Sequence, residues 1–174
     1  DEIEEIEKNI GTDWDAVRGL FGGKGANLAD MARIGLPVPP GFIVTTEACN
    51  AYLASGDKFP DDMWDQEIAA LRAVEAATGK TFGGGKTPLL VSCRSGAKFS
   101  MPGMMDTVLN LGMNDESVVG LAEISGDERF AWDSYRRFIQ MFGDVVMEVD
   151  HHFFEAELEK MKKAREAKSD TDLT

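Results

Sequence analysis

Leu89-Leu90-Val91-Ser92-Cys93-Arg94-Ser95-Gly96-Ala97-Lys98-Phe99-Ser100-Met101-Pro102-Gly103-Met104-Met105-Asp106-Thr107 begins as a short apolar run and breaks abruptly into a polar loop. The run has strand character. The loop combines two cations, small hydroxyl residues, two glycines and three methionines. A core strand has no use for that mixture, whereas a strand that delivers a cation to an anionic ligand does. Arg94 falls at the strand's end, where a guanidinium can make bidentate, charge-assisted hydrogen bonds to phosphate oxygens. Ser95 and Gly96 let backbone N–H groups approach the same anion. An Arg salt-bridged at a strand terminus before an ordinary surface loop accounts for the same residues. Spacing alone leaves both readings open.

Upstream, Phe21-Gly22-Gly23-Lys24-Gly25 opens a helix with Leu28, Met31 and Ala32 on one face. Gly35 closes it ahead of Leu36-Pro37. Glycines before a helix N-terminus allow unpaired N–H groups to converge on an anion, and the helix dipole reinforces them. Lys24 adds a mobile point charge, although Gly-Gly turns before helices are common without any ligand. Pro37-Val38-Pro39-Pro40-Gly41 reads as a stiff turn and Phe42-Ile43-Val44-Thr45 as a strand. Thr46 is placed to cap a helix that ends near Gly56. Residues 61–78 follow helical spacing through Trp64, Ile68, Leu71 and Val74, which predicts a packing helix.

Gly83-Gly84-Gly85-Lys86-Thr87 imitates a phosphate-binding P-loop and fails on register. That motif needs a glycine five residues before the Gly-Lys-Thr, where Lys80 stands, and a helix after it, where Pro88 and an apolar strand follow. It reads as a flexible loop leading into the Arg94 strand. Beyond Gly112, residues 115–168 are almost wholly helical in pattern. Tyr135, Phe138, Ile139, Phe142, Val146 and Val149 mark one face of a long helix, a core stripe rather than a cofactor box. His151 and His152, the only histidines, point about 100° apart on a helix and make a poor chelating pair. A structural or solvent role suits them.

The chain has 174 residues, enough for one domain with a sizeable core or for two small lobes. Its 43% hydrophobic and 28% charged content is that of a globular protein. No apolar run approaches the length of a membrane span. Asp1 rather than Met opens the chain, which suggests a processed or excised piece. Residues 1–15 are dominated by acids, Glu2, Glu4, Glu5 and Glu7 among them, and read as a solvated lead-in without chemistry. The formal net charge of −13 argues against nucleic-acid binding. It also makes any phosphate site a local basic exception, and Lys24, Arg94 and Lys98 supply one. Cys49 and Cys93 have no metal-like spacing and read as two buried thiols of a reducing compartment.

The stretch from Val91 through Asn110 closely resembles a signature of the pyruvate, phosphate dikinase family. Gly22 through Met31 and Gly35 through Phe42 resemble the same family's N-terminal segment, in the family's order. Phosphoenolpyruvate synthase is similar only in part, and Met101-Pro102-Gly103-Met104-Met105-Asp106-Thr107 favours the dikinase. Cys93 stands where the family has valine, a small apolar exchange suited to a buried strand face.

The resemblance implies an α/β (α+β) fold. Residues 1–112 would form the first part of an ATP-grasp nucleotide-binding lobe, and 113–174 a truncated helical subdomain. It implies a reaction in which ATP, pyruvate and phosphate become AMP, phosphoenolpyruvate and pyrophosphate through a phosphohistidine. ATP and Mg²⁺ would be the cofactors, with no metal ligand in this chain. Lys24 and Arg94 match residues on the phosphate side of the ATP site, and Arg94 would act in catalysis. Ser95 adds its backbone, and Met101, Gly103, Met104 and Thr107 fall in a loop over the nucleotide. The expected partners are ATP, a second ATP-grasp lobe, a phosphohistidine domain and a pyruvate-binding barrel. The full-length enzyme would be a cytoplasmic homodimer without nucleic-acid or membrane partners, and this piece alone would be inactive. A synthase-like fragment and a stand-alone nucleotide-binding module are the competing expectations.

Overall fold

The computed structural model describes residues 13–98 and 106–173. They form an α+β arrangement whose helices are α1 (Trp14–Arg33), α2 (Thr46–Ala54), α3 (Met63–Thr78), α4 (Ser117–Ser125), α5 (Glu128–Val145) and α6 (His151–Arg165). The short strands are β1 (Thr81–Phe82), β2 (Pro88–Leu89), β3 (Val91–Arg94) and β4 (Thr107–Leu111). Two compact units interleave along the chain. The first takes Asp1–Thr78 and Arg94–Met105, the second Gly79–Cys93 and Asp106–Thr174. No helix among the described residues is long and apolar enough to cross a membrane.

In the first unit Asp13 caps α1 by accepting a hydrogen bond from the Asp15 N–H (3.0 Å). The helix is broken at Gly22, whose φ of 70° and ψ of 163° lie outside the helical region. A side chain disfavours that positive φ, so glycine suits the break. The glycine-initiated helix expected from the sequence is therefore the second segment of α1. It closes as expected too: the Gly35 N–H donates to Ala32 O and the Leu36 N–H to Met31 O. With Gly35 at φ 82° this is a Schellman ending. Ala26 is fully buried, but Leu28 and Met31 on the expected apolar face stay about 40% exposed (40% and 39%).

Phe42–Thr45 does not form the expected strand; it pairs with no ladder among the described residues. Ile43 instead packs side-on against α1, where a Cβ on Gly25 would meet its Cδ1 at 3.0 Å. Thr45 rather than Thr46 occupies the N-cap of α2, without a side-chain cap bond. Thr46 lies one residue inside and donates its hydroxyl to Gly19 O on α1 (2.8 Å). Tyr52, Phe59 and Trp64 form an aromatic run between α2 and α3, at centroid distances of 5.3 and 6.3 Å. On α3, Val74 is buried whereas Trp64 and Ile68 are exposed, so the expected stripe packs only at its C-terminal half.

In the second unit β1 and β2 pair in parallel, Thr81 against Pro88 and Phe82 against Leu89, and β3 pairs with β4. Its core gathers Met113, Val118 and Ala131, with Leu90, Leu121, Tyr135 and Phe138 packed around them. Asn114 organises the entry to α4: its Oδ1 accepts from the Glu116 and Ser117 N–H groups (3.0 and 2.7 Å). Its Nδ2 donates to Gly83 O (2.9 Å), tying the glycine-rich loop to the helix. Gly85 and Gly120 pack backbone on backbone, since a Cβ on Gly120 would sit 1.5 Å from Gly85 O. The glycine run thus serves close packing under α4 rather than a phosphate.

The long stripe on α5 is shorter than its spacing predicts. The helix ends at Val145, so Val149 lies beyond it, and Ile139 and Val146 are exposed while Tyr135, Phe138 and Phe142 are half-buried. His151 lies between Asp144 (3.1 Å) and Glu155 (3.4 Å), and His152 pairs with Asp150 (2.6 Å), all at the surface.

Candidate functional site

The loop that leaves Arg94 is held by the N-terminal half of α1, and three of its carbonyls are engaged in turn. Lys24 Nζ donates to Ser95 O (3.3 Å), the Gly23 N–H to Ala97 O (2.8 Å), and the Arg18 guanidinium to Lys98 O (3.1 Å). The Lys98 ammonium returns to Asp15 Oδ2 (2.5 Å). Gly22 makes the approach feasible: a Cβ there would lie 3.3 Å from Ala97 N and 3.5 Å from Gly96 C. The break in α1, the loop and the two cations form one interlocked piece of backbone.

Peptide geometry gives this clasp a direction. In a trans peptide the N–H points opposite to the C=O of the same unit. With the Ser95 carbonyl turned to Lys24 of α1, the Gly96 N–H faces away from Lys24. Gly96 is exposed, and its N–H has no acceptor among the described residues. Arg94, the last residue of β3, is also exposed. Lys24 has no carboxylate partner among the described residues, and its single bond goes to a neutral carbonyl. Among the described residues its positive charge meets no carboxylate, as a site that receives an anion requires.

The structure brings together Lys24 and Ser95, with Arg94 adjacent to Ser95 in the chain. Thr107 opens β4 in the second unit, and Met101, Gly103 and Met104 lie outside the described residues. Asp15 and Arg18 are not among the residues expected at the site: Asp15 falls in the acidic lead-in and Arg18 belongs to no motif. Their signal was available in the register: Asp15, Arg18 and Gly22 stand at i, i+3 and i+7, one face of the helix ending at the break. Cys49 and Cys93, expected to be buried, are both exposed free thiols. Both were placed by apolar neighbours in sequence, but the strand and helix faces that carry them are uncovered. Among the described residues no group of three or more His, Cys, Asp or Glu could hold a metal ion.

Residues 18–71 match the family described as pyruvate phosphate dikinase, AMP/ATP-binding domain. The matched segment begins at Arg18 and contains the Gly22 break and Lys24. The likeness to that family is carried by this segment. The chain is 59% identical over 155 residues to pyruvate, phosphate dikinase 2 of Zea mays, covering 89% of this chain and 17% of that protein. It is 56% identical over 157 residues to the dikinase of Rhizobium meliloti, covering 90% and 18%. A chloroplastic dikinase of Arabidopsis thaliana is 56% identical over 158 residues, covering 91% and 16%. The chain therefore spans about one sixth of the length of these dikinases, with shares of 16–18%.

Proposed function

We propose that this chain forms one side of the ATP site of a pyruvate, phosphate dikinase, and that Lys24, Arg94 and Ser95 take the phosphate end of the nucleotide. The observation that carries the reading is the seating of Lys24 Nζ on the Ser95 carbonyl. It brings an ammonium without a carboxylate partner among the described residues to the residue that follows Arg94, beside the outward Gly96 N–H. Phosphoryl transfer requires positioning of the phosphates and neutralisation of charge on the transferring oxygens. Lys24 contributes a mobile point charge, Arg94 a planar fork for two oxygens, and the Ser95–Gly96 turn a neutral donor. Met101, Gly103, Met104 and Thr107 are candidate nucleotide contacts by the family resemblance alone.

Mg²⁺ neutralises charge between phosphates in such reactions, but the described residues gather no carboxylate group that fits it, so no step is routed through it. In this reading residues 1–112 are the first part of an ATP-grasp lobe, followed by a helical subdomain over 113–174. The second lobe, the phosphohistidine domain and the pyruvate-binding barrel belong to the remaining length of a homodimeric cytoplasmic enzyme. The whole reaction converts ATP, pyruvate and phosphate to AMP, phosphoenolpyruvate and pyrophosphate.

The test is calorimetric titration of the chain with MgATP beside Arg94→Ala. Saturable binding that weakens about tenfold or more in Arg94→Ala supports the assignment, the loss being that of hydrogen bonds to a charged group. Equal binding by the two proteins would remove Arg94 from the site.

A further inference from the structure

We propose that Arg18 is a positioning residue for the nucleotide site: it holds the Lys98 carbonyl so that the loop after Arg94 is preset before any ligand arrives. The inference deepens the ATP reading above and rests on it. Arg18 sits on the first segment of α1, is partly buried, and reaches across 80 positions of sequence to donate to Lys98 O at 3.1 Å. It does not stand in the Gly22–Lys24 stretch that approaches Ser95 and Ala97. Its contact fixes the Lys98 carbonyl, while Lys24 and Gly23 fix those of Ser95 and Ala97.

A segment anchored at three of its carbonyls keeps its peptide planes from rotating. If the Lys98 carbonyl were released, the Ala97–Lys98 segment could turn about its backbone dihedrals. The Gly96 N–H would then be held facing away from α1 by the Lys24 and Gly23 contacts alone. Ordering that backbone would fall to the ligand, and a free energy otherwise spent before binding would be subtracted from affinity. Asp15 supports the same residue through the Lys98 ammonium (2.5 Å). That pair is largely exposed, so its contribution is smaller than that of the partly buried guanidinium.

The experiment compares the wild-type chain, Arg18→Ala and Arg18→Lys in MgATP titrations and in amide hydrogen exchange without nucleotide. Arg18→Ala should bind MgATP about tenfold more weakly, the worth of one charge-assisted hydrogen bond. Its Gly23 amide, which donates to Ala97 O, should exchange faster, while amides of α3 keep wild-type protection. Arg18→Lys retains one donor and should recover part of both effects. If Arg18→Ala binds like wild type, the positioning role is wrong and the nucleotide reading stands. Weakened binding with unchanged exchange at Gly23 would also overturn it, since Arg18 would then act by direct contact. If the wild-type chain takes up no MgATP, the nucleotide reading fails and the positioning role falls with it.

Discussion

Lys24 and Asp133 show how differently a charge can be placed on one chain. Asp133 lies between two arginines of its own helix, Arg136 at 2.8 Å and Arg137 at 2.8 Å. Burial pushes its carboxyl up, but the hydrogen bonds and charges of Arg136 and Arg137 outweigh that and hold it below the ordinary value of 3.8. A carboxyl depressed in the folded state contributes stability above its unfolded pKa and loses it as pH falls through the folded one. Asp133→Asn should therefore cost about 0.5–1 kcal/mol near neutral pH, the worth of two intrahelical pairs. The gap from wild type should close on acidification below pH 3.8, as thermal melts at stepped pH would record. A constant gap at every pH would assign the effect to packing. Lys24 has no such carboxylate among the described residues, and Lys24→Ala should leave the melting temperature nearly unchanged while weakening MgATP binding about tenfold. A Lys24→Ala protein that binds as tightly as wild type would place the phosphates elsewhere.

Glycine carries three different burdens in the helices, and substitution separates them. Gly19 lies inside α1 with nothing within 4 Å of its missing Cβ, so Gly19→Ala should stabilise by about 0.5–1 kcal/mol. Gly120 meets Gly85 O at 1.5 Å, and Gly120→Ala must lift α4 off the loop at a cost of about 1–3 kcal/mol or more. Opposite shifts in melting temperature for the two alanines would verify the packing, and two shifts of the same sign would refute it. Gly22 is required by its positive φ and by Ala97 together. These differences bear on what could be read in advance. The start of the second α1 segment, its Gly35 ending, the P-loop imitation and the Arg94 strand are local, set by turn chemistry within a few residues, and sequence spacing exposes them. Phe42–Thr45 has strand composition, yet a strand needs a neighbour to supply hydrogen bonds, which composition cannot name. Register puts Arg18 on the helix face of the Gly22 break, but its partner Lys98 is named only where two segments 80 positions apart meet in space.

At the scale of the molecule the net charge of −13 sets the terms on which an anionic ligand arrives. ATP bound to Mg²⁺ is negative, so the long-range field repels it, while Lys24 and Arg94 attract it only at close range. Salt separates the two ranges. The Debye length falls from about 30 Å at 0.01 M ionic strength to about 8 Å at 0.15 M, which screens the distant acids first. Contacts at hydrogen-bond distance are screened much less. The association rate of MgATP should therefore rise between 0.01 and 0.15 M salt, by a few-fold, while the dissociation rate changes little. A cationic surface built to gather anions from a distance has the opposite response, with association falling steeply as salt is added. Stopped-flow measurement of both rates distinguishes them. A falling association rate would mean that Lys24, Arg94 and Lys98 dominate the potential well beyond their own loop, and that the acidic majority is directed away from the path of approach.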